Sequence, residues 1–202
     1  MKTVTFRQNR AKERLIADVD LISVNEASAI RKGHLELNDE TKVLKIIVNA
    51  GEEQEILSVQ KNKDSRTGIN DFQDGRIISP DGGGSFVVEE VKISHAAAVL
   101  GDDVATKSFI QTAFPSDLEH AVVQFSQNGR TIKEIKLCEF VFTGDAPQNV
   151  IASWKKLDMP FTIAAGKDLR MKLVRPSGIT GSAAALSIEM QGIQTYPKRN
   201  KA

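Results

Sequence analysis

The chain predicts an all-β fold, an antiparallel sandwich or barrel, and three observations carry that reading. Apolar residues alternate with period two through most of residues 35–195. Nine or ten short runs of this kind are separated by Gly, Pro, Asn and Asp turn signals. Helical spacing is confined to the N-terminal part, over residues 10–32. A length of 202 residues suits one large β domain that buries a core without covalent staples.

Taken in order, residues 1–14 form a short basic arm, with Lys2, Arg7, Arg10, Lys12 and Arg14 against one acid, Glu13. In "RLIADVDLISVNEASAIRKG", Leu15, Ile16, Val19 and Ile22 keep helical spacing. Gly33 after Arg31-Lys32 predicts the stop, with cations in the last turn. Leu15, Ile16, Val19, Leu21 and Ile22 are too many apolar residues for a free tail, and a neighbouring subunit is their expected resting place. The organisation expected is an arm with a possible helix over 1–33, a β-sandwich over 34–197 and a basic tail over 198–202.

"HLELND" and "TKVLKIIVN" predict two strands around Asn38-Asp39, and "EILSVQK" (55–61) predicts a third. The polar stretch 62–75 reads as a long loop, "RIISP" as a short strand ended by proline, and "DGGGS" (81–85) as a turn. "FVVEEVKISHA" (86–96) predicts a strand with Val88, Val91 and Ile93 in the core. "SFIQTAF" (108–114) predicts another, ended at Pro115, and one helical turn is expected around 150–154. "MPFTIAAG", "DLRMKLVRPSG" and "SAAALSIEMQGIQTYP" complete the set. Leu169, Met171 and Leu173 alternate in one of these, and Leu186, Ile188 and Met190 in another.

The stretch "VVQFSQNGRTIKEIKL" (122–137) folds over Asn128-Gly129, and the second strand runs on to Phe142. A two-residue turn there pairs residues whose numbers sum to 257, which sets Val123 against Glu134. Moving the register by one pairs Val123 with Ile135 and Ala121 with Leu137, a cleaner apolar face. A β-bulge near Arg130 reconciles turn and core. The hairpin then either completes the core or reaches past the sheet edge toward a neighbour.

Little in the chain points to chemistry, and no enzyme is expected. A single cysteine, Cys138, excludes an internal disulfide framework and a multi-cysteine zinc site. It fits a reducing cytosol and is expected as a small buried side chain. "GDDVATKS" (101–108) has Gly101 and Lys107-Ser108 at phosphate-loop spacing. Thr106 stands where the second glycine belongs, and Asp102 and Asp103 would repel a phosphate. Calcium-loop registers fail at Arg66 when counted from Asp64 and at Gln73 when counted from Asp71. An irregular site from Asp64, Asp71 and Asp74 is the surviving metal candidate. His34, His95 and His120 share no ligand spacing, and "GGGSFV" lacks the second glycine of a nucleophile elbow. No cofactor or metal is therefore expected. Aromatic residues make up 5% of the chain, too few for a stacking platform. Trp154, Tyr196 and Phe72 are the candidates for a groove if the chain is a carbohydrate- or host-surface-binding module. No stretch is long and apolar enough to span a membrane, and the N-terminus lacks the apolar run of a secretory signal. A net charge of +1 leaves the basic arm as the one place for nucleic acid or another acidic surface.

Residues 85–200 resemble the small jelly-roll capsid proteins of bacteriophages. The resemblance rests on the order "FVVEEVKISHA", "LEHAVVQFSQNGRTIKEIKL", "MPFTIAAGKDLRMKLVRPSG" and "LSIEMQGIQTYPKR". It implies an eight-stranded sandwich, self-assembly into a shell with other virion proteins, and an arm that reaches inward or to neighbours. It also implies a place in the virion after synthesis in the host cytoplasm. A two-roll coat would be longer, so a single jelly roll with an added N-terminal segment is implied. Such coats have no catalytic set to carry over.

Overall fold

The computed structural model describes residues 13, 15, 24–57, 68–72, 84–111, 114–140, 154–179 and 181–197. Its elements are α1 (Val24–Arg31), β1 (Leu35–Val48), β2 (Glu53–Leu57), β3 (Gly68–Asn70), β4 (Phe86–Ala97), the short 3-10 turn η1 (Val104–Thr106) and α2 (Ser116–Glu119). They continue with β5 (Val122–Gln127), β6 (Arg130–Lys136), the 3-10 turn η2 (Leu137–Phe140), β7 (Lys155–Ile163), β8 (Leu169–Val174) and β9 (Ala184–Pro197). The fold is an all-β sandwich, with one sheet in the order β3-β1-β9-β4-β7 and the other β2-β8-β5-β6. Every pairing is antiparallel.

That order has a simple origin. With β3 set aside, β1 pairs with β9, β2 with β8, β4 with β7 and β5 with β6. The chain is thus one long antiparallel ribbon closed at the β5–β6 hairpin. Rolling it up adds the pairs β9–β4 and β8–β5. This is the strand order of a single jelly roll.

The core lies between the sheets and follows the period-two reading. Val123 and Phe125, then Leu169, Met171 and Leu173, then Leu186, Ile188 and Met190 fall in one cluster. Phe125 of one sheet meets Phe161 of the other with ring centres 5.2 Å apart. Val88, Val91 and Ile93 also belong to it, although 88 and 91 differ in parity. A bulge at Glu89 resolves this: Val88 pairs with Gly192 and Glu90 with Gln191, so one extra residue restores the inward phase. Gly192 sits under the bulge, where a Cβ would lie 1.8 Å from the Val87 carbonyl oxygen.

The hairpin matches its reading. Asn128 and Gly129 have φ of 51° and 76°, a two-residue turn with both central residues left-handed. Gln127 pairs with Arg130, yet Val123 pairs with Ile135. The register changes between Ser126–Thr131 and Phe125–Lys133, which makes Ile132 the extra residue. Leu137 N–H donates to Ala121 O at 2.9 Å.

Several local expectations are corrected. Asn38-Asp39 does not turn, because β9 supplies partners Gln194 and Ile193 and carries β1 straight through. The expected loop 62–75 contains β3, held beside β1 through Leu44–Asn70 and closed by Asp71, whose Oδ2 accepts from Val43 N at 2.8 Å. Among the described residues of "SFIQTAF", an isolated bridge between Ile110 and His95 takes the place of the expected strand. β6 ends at Lys136, and η2 follows. Cys138 is exposed rather than buried, because η2 turns Leu137 and Phe140 inward, three residues apart, and leaves Cys138 and Glu139 outside. The helical turn expected at 150–154 falls largely outside the described residues, as do "RIISP" and the basic tail.

α1 ends as predicted. Gly33 has φ of 69°, Gly33 N donates to Ile30 O, and His34 N donates to Ala29 O, the two bonds of a Schellman cap. Its Ala27 and Ile30 form a second apolar cluster with Leu15, Val87 and Ala164, flanked by Leu35 and Leu37. Val87 alternates with the core residues Phe86 and Val88, so this cluster lies on the outer face of the five-stranded sheet. The N-terminal segment therefore rests on its own sandwich through Leu15, Ala27 and Ile30. Ile16, Val19, Leu21 and Ile22 lie outside the described residues.

Candidate functional site

The described residues among those singled out in the sequence do not converge. Lys2, Arg7, Arg10, Lys12 and Arg14 lie outside the described residues. So do Asp64 and Asp74, while Asp71 spends a carboxylate oxygen on β1. His34 and His120 are exposed at helix ends, whereas His95 is buried against Phe114, ring centres 4.8 Å apart. Among the described residues no group of His, Cys, Asp and Glu is placed to hold a metal. No described helix is long and apolar enough to cross a membrane.

The phosphate-loop look-alike is a self-capped turn. Asp103 Oδ1 accepts from Ala105 N at 2.9 Å and caps η1. Asp102 Oδ2 accepts from Val99 N at 2.9 Å and pairs with Lys107 Nζ. The Lys107 bond, then the Val99 amide, hold the Asp102 carboxyl below its ordinary pKa. Both aspartates thus stabilise a loop and leave no cradle for phosphate.

The aromatic candidates also disperse. Phe72 is buried in the core rather than displayed on a loop. Tyr196 Oη donates to Glu40 Oε2 at 2.9 Å on the side of β9 that faces the core. Trp154 is half-buried with Lys92 Nζ 5.9 Å from its ring centre.

Three polar junctions organise the molecule instead, and spacing gave no sign of them. At the first, Glu26 of α1 reaches the outer face. Its Oε1 accepts from Ser85 N at 2.7 Å and Thr195 Oγ1 at 2.8 Å, and its Oε2 accepts from Ser85 Oγ at 2.8 Å. Gly84 makes room, since a Cβ there would fall 1.9 Å from Thr195 Oγ1. The Ser85 hydroxyl thus donates to the carboxylate that docks α1 on the sheet. At the second, Gln127 binds the backbone of Ala164. At the third, the buried Arg175 donates from Nη1 to Gly51 O at 2.6 Å, with Nε 3.7 Å from Asp117 Oδ2. Its Nε and Nη2 have no hydrogen bond among the described residues. Burial pushes this guanidinium's pKa down, and Asp117 opposes that.

The surface divides sharply. The outer face of the four-stranded sheet is polar, laced by Lys172–Glu53, Arg170–Glu55 and Gln124–Glu134. The excursion 98–111 leaves β4, packs η1 against β1 and β3, and returns at Ile110 beside His95. Lys45 Nζ lies 5.1 Å from the Phe109 ring centre, so the excursion runs along the outer face of the larger sheet. The exposed large apolar side chains among the described residues are Val24, Val99, Leu100, Ile110 and Met159, and three of these lie on this excursion.

No family model, curated protein or solved structure matches the chain.

Proposed function

We propose that the chain is a non-enzymatic structural subunit that assembles with copies of itself into a closed shell, as the coat of a virus particle does. The observation that carries this reading is the excursion 98–111, which presents Val99, Leu100 and Ile110 to solvent, three of the five exposed large apolar side chains among the described residues. The edges on one side of the sandwich are a poor alternative route. β6 carries Arg130, Lys133 and Lys136 at the edge of the four-stranded sheet there, and β7 carries Lys155, Lys156 and Pro160 at the edge of the five-stranded sheet. Lysines and proline at an edge oppose strand addition. Association then uses side-chain surface, and closed symmetry keeps it from growing into open filaments. Other virion proteins, and nucleic acid for the basic arm, complete the proposed partners, in a virion built in the host cytoplasm.

Sedimentation over a range of concentrations tests this. The wild-type chain should form species of several times 22.1 kDa. Val99→Asp with Leu100→Asp, both exposed, should stay folded and remain at the monomer mass. A wild-type chain that stays monomeric throughout, or a double variant that assembles unchanged, overturns the reading.

A further inference from the structure

A line of polar contacts runs from α1, on the outer face of one sheet, to the hairpin tip of the other. Glu26 Oε2 accepts from Ser85 Oγ at 2.8 Å. The same Ser85 oxygen accepts from Ala165 N at 3.2 Å. Ala164, the residue before, donates its N–H to Gln127 Oε1 at 2.8 Å and accepts from Gln127 Nε2 at 3.1 Å. Gln127 Nε2 also reaches Lys167 O at 3.4 Å. Gln127 is the last residue of β5, directly before Asn128-Gly129.

Each link constrains the next. A serine hydroxyl has one proton and two lone pairs. Donation of that proton to Glu26 turns a lone pair toward the Ala165 amide. Ala165 N–H and the Ala164 carbonyl belong to one planar peptide, so orienting the first at Ser85 orients the second toward Gln127. The Gln127 carboxamide fits Ala164 in one orientation only, oxygen to N–H and nitrogen to carbonyl. Ser85, Ala164 and Gln127 are all buried, so water does not readily replace a lost bond.

We propose that docking of α1 through Glu26 sets the order of the 164–167 turn and, through Gln127, of the hairpin tip at Asn128-Gly129. The N-terminal segment and the tip then form one conformational unit, although they belong to opposite sheets. Loosening either end loosens the other, since coupling between two sites is reciprocal. This holds whether or not the chain builds a shell.

Amide-resolved hydrogen exchange on the full chain tests it. Ser85→Ala removes the shared oxygen and should speed exchange at Ala165 about ten-fold, roughly one hydrogen bond's worth of protection. The proposal requires faster exchange also at Ala164 and at the Gln127–Arg130 pair that closes the hairpin tip, which Ser85 does not touch. Gln127→Ala should in turn speed exchange at Ala165 and in α1. In the double variant the acceleration should fall short of the product of the two single effects. If Ser85→Ala does not fold, Thr195→Val weakens the Glu26 clamp without altering Ser85 and should give the same pattern more weakly. Acceleration confined to Ala165 in one variant and Ala164 in the other, or a double variant showing the full product, overturns the proposal.

Discussion

Gln127 and Ala164 close a ring of two hydrogen bonds, Ala164 N to Gln127 Oε1 at 2.8 Å and Gln127 Nε2 to Ala164 O at 3.1 Å. The side-chain amide takes the place of a strand neighbour at the end of β7. It joins the smaller sheet to the larger at the hairpin end, and both residues are buried. Gln127→Ala leaves a buried N–H and carbonyl without these partners, which costs about 2 kcal/mol. Urea unfolding should show a lower midpoint at an unchanged slope. A midpoint within error of wild type would mean that water replaces the amide.

Two glycines should answer the same substitution differently. At Gly192 a Cβ would meet the Val87 carbonyl at 1.8 Å, and backbone of a paired strand cannot step aside cheaply. Gly192→Ala should destabilise by about 4 kcal/mol or more. At Gly33 nothing lies within 4 Å, so only the φ of 69° opposes a side chain. Gly33→Ala should cost about 1 kcal/mol. Thermal unfolding of the pair ranks them, and a reversed order would refute the bulge argument.

The strand content and the core were legible because burial between two sheets imposes period two on side chains, as in Leu169, Met171 and Leu173. The hairpin register was legible because turn chemistry and apolar pairing conflicted by one residue, and a bulge was the remedy. The straight run of β1 through Asn38-Asp39 was hidden, since a long-range partner, β9, decides it. β3 was hidden for the same reason, a three-residue strand held by Leu44, Lys45 and Ile46 across the chain. Glu26, Gln127 and Arg175 gave no signal at all. Each acts on backbone or hydroxyl groups 37–169 residues away, and a single sequence carries no mark of such pairing.

Asp117 and Arg175 should show a lopsided response. Arg175 is wholly buried at its side chain, and Asp117 is 15% exposed. Asp117→Ala removes the compensating charge and the acceptor for Ser182 N, at a cost of about 3 kcal/mol. Adding Arg175→Met removes the stranded charge as well and should recover part of that loss. Chemical denaturation of the single and double variants decides it. A double variant less stable than Asp117→Ala alone would show that the guanidinium is stabilised without Asp117.

Acid should loosen the 98–107 loop. Asp102 has its carboxyl pKa lowered by Lys107 and the Val99 amide. A depressed carboxyl pKa contributes stability above the unfolded value, lost as pH falls through the folded one. The window therefore lies below the ordinary value of 3.8. Exchange at the Val99 amide should rise there, and Asp102→Asn should show the loosened loop already at neutral pH. An unchanged Val99 amide in Asp102→Asn would count against this.

The N-terminal segment tests whether a helix lying outside a sandwich belongs to its stability or to its assembly. Its apolar residues suggested a neighbour, yet Leu15 is fully buried with Ala27 and Ile30 against Val87 and Ala164 of the same chain. Leu15→Ala should therefore lower stability by about 3 kcal/mol, the cost of emptying a buried leucine site. Val24, exposed at the start of α1, provides the control, and Val24→Ala should change stability by less than about 0.5 kcal/mol. The basic residues before the helix should act separately, through screened charge, so any contribution of theirs to association should weaken as salt shortens the Debye length. Thermal unfolding and sedimentation, each at low and high salt, separate the two effects. If Leu15→Ala leaves the unfolding temperature unchanged and abolishes assembly, the segment serves a neighbour. If it lowers the temperature at unchanged assembly, the helix is part of its own sandwich, and only the arm before it is free to bind outward.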